Sequence, residues 1–78
     1  MFQELEMVVL THDVAEYWLK RGDIGTVVHL YASGEACEVE FVNARGDTVA
    51  LLTLETQDIR PLQGLEILHV RELAQATA

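Results

Sequence analysis

Short apolar runs closed by turn-forming residues dominate the chain, a pattern that predicts strands rather than helices. The first run, Met7-Val8-Val9-Leu10, is rich in β-branched residues and stops at Thr11-His12-Asp13. A longer connection, Val14 to Asp23, follows and carries Tyr17, Trp18 and the basic pair Lys20-Arg21. A second strand is expected from Ile24 to Tyr31, with Ser33-Gly34 as its turn. In Cys37-Glu38-Val39-Glu40-Phe41 the alternation is clean. Cys37, Val39 and Phe41 point to one face and Glu38 and Glu40 to the other, the period of a half-buried antiparallel strand.

The turn Asn43-Ala44-Arg45-Gly46-Asp47 leads into Thr48-Val49-Ala50-Leu51-Leu52-Thr53-Leu54. This segment is apolar in both phases, so it is expected to be central or covered on both sides. Thr56-Gln57-Asp58 reads as a short helical turn, because Thr and Asp side chains bond to nearby amides. Ile59-Arg60-Pro61-Leu62 is a short fifth strand, with Pro61 at an edge or a strand end because it has no N–H to give. The fold class is mainly β: a small, strongly bent, five-stranded antiparallel barrel over residues 1–62, a form that leaves few open edges. Residues 63–78 form a C-terminal extension packed on it. There Leu65, Ile67, Leu68, Val70, Leu73 and Ala74 fit a helical stripe, while Glu66 to Val70 fits a sixth strand equally well. An extended segment ending in a short helical turn is expected, with Gln75 to Ala78 frayed.

Leu19-Lys20-Arg21-Gly22-Asp23-Ile24-Gly25-Thr26-Val27-Val28 resembles the first turn of SH3-like barrels, KOW-type modules included. Mechanically, Gly22 permits a tight turn, Asp23 can bond to the turn backbone, and Gly25 permits a bulge or a close crossing. Together with Val8-Val9-Leu10-Thr11, Glu38 to Val42, Ala50 to Leu54, Ile59 to Leu62 and Ile67 to Arg71, it resembles the small bacterial family known as a domain of unknown function, DUF4926. The resemblance runs from about Glu4 to Leu73. It implies an SH3-like barrel and no assigned activity, and it gives Trp18 no family-wide role.

Composition narrows the classes. The chain has 78 residues, half of them apolar, and a formal charge of −8 from thirteen acids and five bases. It is too apolar for disorder and long enough for one domain. A domain this small buries roughly 60% of its unfolded surface, so either packing is efficient or a partner covers apolar surface. The single Cys37 excludes an intramolecular disulfide and argues against a stapled secreted scaffold. No basic N-terminal patch precedes an apolar run, and no stretch approaches the roughly 20 residues of a membrane span. A cytoplasmic protein is expected. The acidic balance opposes nucleic acid and anionic membranes.

Candidate chemistry is sparse. Cys37 with His12, His29 or His69 is a conceivable nucleophile and base, but Cys37 lies on the inward phase and no third group orients a base. His12, Asp13 and Glu16 lack metal-ligand spacing. Gly22-x-x-Gly25 lacks the phosphate-loop pattern, and Asp23 would repel phosphate. The expectation is no enzyme activity, no metal and no cofactor. Tyr17, Trp18, Lys20 and Arg21 carry residue types enriched at interfaces, with Trp18 either exposed or folded back to plug the barrel. Glu35, Glu38 and Glu40 form an acidic face for a basic partner or for solvent. The expected function is a non-catalytic module that binds another protein, in the manner of an antitoxin or immunity protein, or that self-associates. A KOW-like RNA-binding module using Tyr17, Trp18, Lys20 and Arg21 is the alternative, followed by a structural subunit of a larger complex.

Overall fold

The computed structural model describes residues 2–73. Five strands form one antiparallel sheet: β1 (Met7–Leu10), β2 (Ile24–Leu30), β3 (Ala36–Val42), β4 (Thr48–Glu55) and β5 (Ile59–Pro61), in the order β4-β3-β2-β1-β5. Each expected strand is present. Their ends follow turn chemistry: Gly34 and Gly46 take positive φ, and Asn43 Oδ1 accepts the N–H groups of Arg45 and Asp47, each at 3.0 Å. Thr56–Asp58 is the expected helical turn, of 3-10 type, and Asp58 Oδ2 accepts the Glu55 N–H at 2.9 Å. Pro61 closes the edge strand β5, where its missing N–H costs no ladder bond.

The alternation in β3 builds the core. Cys37, Val39 and Phe41 stand opposite Leu54, Leu52 and Ala50 of β4, and all six are buried. Val8, Leu10, Val27, Ile59 and Leu19 complete the same cluster. Each large aliphatic side chain buried here contributes about 1.5–3 kcal/mol by leaving water. Gly25 is the close crossing: an added Cβ would lie 2.6 Å from Val39 Cγ1 and 2.8 Å from Phe41 Cε2. The bulge lies further along β2, between Val27 and His29.

Three expectations need correction. β4 is an edge strand covered on one face, with Leu51 56% exposed. The strand covered on both faces is β1, where Val8, Val9 and Leu10 are all buried between β2 and β5. Secondly, hydrogen bonds do not close the sheet into a barrel, because β4 and β5 are its two unpaired edges. Thirdly, neither a helix nor a sixth strand forms over Glu66–Val70. After a turn at Gly64-Leu65, the chain runs on without regular structure to Leu73. Residues 67–70 make no backbone hydrogen bond among the described residues, and Leu65, Ile67, Leu68 and Val70 are 61–103% exposed. The apolar stripe a helix would need to bury stays exposed, so no packing stabilises a helix there. The segment is instead tied by charge, through Arg60–Glu66 at one end and Arg71–Asp23 at the other. The fraying expected for Gln75 to Ala78 lies outside the described residues.

Candidate functional site

The loop between β1 and β2 is built by its own polar groups. Val14 and Leu19 pair through N–H···O bonds of 2.9 and 3.2 Å around a 3-10 turn at Ala15–Tyr17, which the sequence pattern did not reveal. That narrow bridge forces Trp18 into the left-handed region, φ 61°. Leu19 then drops into the core, whereas Trp18 stays 46% exposed and plugs nothing. Gly22 has φ +95°, so it supplies the tight turn expected of it. Asp23 holds the turn together: Oδ2 accepts the Lys20 N–H at 2.8 Å, and both carboxylate oxygens receive Arg71. Arg71 also donates to the Trp18 carbonyl at 3.0 Å. Asp13 Oδ1 accepts the Arg21 N–H at 2.8 Å. Lys20 and Arg21 are left exposed beside Tyr17, and neither side chain has a partner among the described residues.

The acidic residues lie elsewhere. Glu38 and Glu40 occupy the outer face of β3, opposite Thr53 and Leu51 of β4 and flanked by His29 and Thr26 of β2. Glu38 Oε2 accepts hydroxyl protons from Thr53 and from Tyr31, the latter at 2.6 Å. These bonds, the Thr53 one first, hold the Glu38 carboxyl below its usual 4.5. Glu40 Oε2 accepts from Thr48 Oγ1 at 2.6 Å. Glu35 sits in the turn before β3, its carbonyl accepting the Thr56 N–H at 3.2 Å. None of Glu35, Glu38 and Glu40 has a cationic partner among the described residues. His29 and Tyr31 stack edge to face at 4.8 Å beside them. No described contact joins this face to Tyr17, Trp18, Lys20 and Arg21, so the two groups of candidate residues form separate surfaces. Tyr31, Thr48 and Thr53 were missed in the sequence. The strand register sets Thr53 against Glu38, whereas Thr48 and Tyr31 lie off the directly paired positions of Glu40 and Glu38.

The reactive candidates are placed as follows. Cys37 is buried, and burial raises its thiol above 9.0. His12 Nε2 lies 2.7 Å from Asp58 Oδ1, and this bond raises the imidazole above 6.5. Asp58 is pushed up by burial, but the bonds from His12 and the Glu55 N–H outweigh this and leave it below 3.8. His69 stands on the exposed C-terminal segment. Among the described residues, no three His, Cys, Asp or Glu side chains converge to hold a metal ion. An open groove of about 300 Å³ lies between that segment and the sheet, lined by Leu19, Ile24, Phe41, Val42, Val49 and Leu73. No helix of the described residues is long and apolar enough to cross a membrane.

No curated protein and no solved structure matches the chain. A family model, described as "Domain of unknown function (DUF4926)", matches residues 4–61 and stops where β5 ends, leaving the C-terminal segment outside it. With five ordered strands in the matched span, the chain belongs to the DUF4926 family.

Proposed function

We propose that the domain is a non-catalytic, SH3-like protein-interaction module whose acidic sheet face docks a basic protein in the cytoplasm and neutralises it. Support for the SH3-like reading comes from the strand order, with β1 paired to β5, the 3-10 turn before β5, and the close approach of Gly25 to Val39 and Phe41. Support for the cytoplasm is the unpaired, buried Cys37 thiol.

One observation carries the docking reading. Glu38 and Glu40, half-buried on the outer face, are fixed by hydroxyl donors and form no ion pair among the described residues, so their negative charge is held in place there. A carboxylate already oriented loses little freedom on meeting a guanidinium or ammonium group, and a row of them steers a basic partner during encounter. Exposed Leu51 and the His29–Tyr31 pair add apolar contact beside the charges. The test uses immobilised protein and its Glu35→Gln/Glu38→Gln/Glu40→Gln variant against a cell lysate at low salt. A basic protein retained by the parent, released by salt and lost with the variant supports the reading. Equal retention by both proteins overturns it.

A second reading rests on Lys20 and Arg21, whose side chains are exposed and have no partner among the described residues, in the loop that also exposes Tyr17 and Trp18. This surface fits a KOW-like RNA-binding module, with weak and strongly salt-sensitive binding because two cations neutralise two phosphates at most. Quenching of Trp18 fluorescence by a single-stranded RNA oligonucleotide, abolished by Lys20→Ala, favours this reading over docking. A structural subunit of a larger complex would show neither response.

A further inference from the structure

We infer that the chain pairs with a second copy of itself through its C-terminal segment, Glu66–Val70 of one copy adding as a strand to the free β4 edge of the other. Two features of each copy are unsatisfied, and each matches the other. The segment exposes Leu65, Ile67, Leu68 and Val70, and residues 67–70 leave their backbone N–H and C=O groups without partners among the described residues. Among the described residues, the outer edge of β4 presents a second row of backbone groups without a neighbouring strand over Thr48–Glu55.

The two edges of the sheet are treated differently. β5 is three residues long and ends in proline, both of which discourage strand addition. β4 is eight residues long, and from Val49 to Leu54 it carries no charge, proline or glycine. Ala50, Leu52 and Leu54 point inward and Leu51 outward, so an added strand would set its own side chains beside the exposed Leu51 on the outer face. Glu66–Val70 has the same two-sided pattern, with Leu68 and Val70 in one phase and Ile67 in the other.

The segment is also held ready. Arg60–Glu66 and Arg71–Asp23 pin its two ends, so less freedom is lost on pairing. Area favours a mutual exchange. At roughly 60–120 Å² per aliphatic side chain, Ile67, Leu68 and Val70 of each copy bring at most about 360–720 Å² in a two-fold pair. With the edges they cover, the total reaches the order of 1,000 Å², the lower end of specific interfaces, so a dimer that dissociates on dilution is expected. A two-fold exchange closes on itself, so it ends at a dimer instead of a fibre.

Sedimentation velocity of the full chain over a range of concentrations tests this, with the parent expected at twice its monomer mass. Both copies carry −8, so added salt strengthens the dimer, the opposite of its effect on a basic partner bound to the acidic face. Ile67→Asp/Leu68→Asp and, separately, Leu51→Lys are expected to be monomers at concentrations where the parent is dimeric. Mixing the two variants restores one intact segment and one intact edge, so dimer returns in the mixture. Circular dichroism matching the parent checks that both variants fold. A parent that stays monomeric at every concentration and salt overturns the inference. A dimer that persists in both folded variants also overturns it.

Discussion

Gly25 offers the sharpest test of the packing. It lies opposite Val8 in the β1–β2 register and is buried. In Gly25→Ala the new methyl would stand 2.6 Å from Val39 Cγ1, with Phe41 Cε2 and Cδ2 at 2.8 and 3.0 Å. Ordinary carbon contacts are about 3.5–4.0 Å, so the overlap is roughly 1 Å. Val39 and Phe41 are both buried and cannot swing into solvent. Overpacking of this kind costs about 1–3 kcal/mol. Restricting the unfolded chain by replacing glycine returns about 0.4–1 kcal/mol. Because both clashing side chains are buried, the cost falls in the upper half of its range, and a return of about 1 kcal/mol leaves a net loss of about 1–2 kcal/mol, a large share of the roughly 4–12 kcal/mol expected of a domain this size. Thermal unfolding followed by circular dichroism should show Tm falling by about 4–16 °C. Val39→Ala removes the nearest clashing atom, so the double variant should be about 1 kcal/mol more stable than the sum of the single effects. A Gly25→Ala midpoint within about 2 °C of the parent, or strict additivity in the double variant, would refute the close crossing.

Three further outcomes are expected. His12 is raised by Asp58, so its contribution to stability is present below pH 6.5 and lost as pH rises through its folded value. Proton NMR should place the His12 midpoint above 6.5, falling back in Asp58→Asn. Glu66 is lowered to about 2 by Arg60, so its contribution is present above pH 4.5 and lost as pH falls towards 2. Carbon NMR of the Glu66 carboxyl should show that midpoint, moving up towards 4.5 in Arg60→Gln. Cys37, buried with a raised thiol, should resist a disulfide reagent in the native protein and react fully in denaturant.

The strands were legible because turn chemistry and alternation fix them locally. Cys37, Val39 and Phe41 face inward in the phase their spacing announced, and Gly22 and Gly25 meet steric demands visible in the motif. What the sequence withheld is how strands sit relative to one another. Two-sided apolarity in β4 read as central, yet β4 is at an edge, because the return through Thr56–Asp58 delivers β5 to β1 and leaves β4 with one neighbour. The C-terminal segment failed for a related reason. An apolar residue announces a need for burial, but not whether its own chain supplies the cover. Within the acidic face, Glu38 and Glu40 were found by phase, whereas the hydroxyls of Tyr31 and Thr53 that fix Glu38 depend on cross-strand register. Arg71, 48 positions beyond Asp23, left no local signal.

The claim that the acidic sheet face is the docking surface is tested most directly by amide NMR, titrating the protein with an arginine-rich peptide at low salt. Shifts centred on Glu38, Glu40, Leu51 and Thr53 are expected, reversed by salt and lost in Glu38→Gln/Glu40→Gln. Shifts centred on Tyr17 to Arg21 instead, or shifts unchanged by those two substitutions, would contradict it.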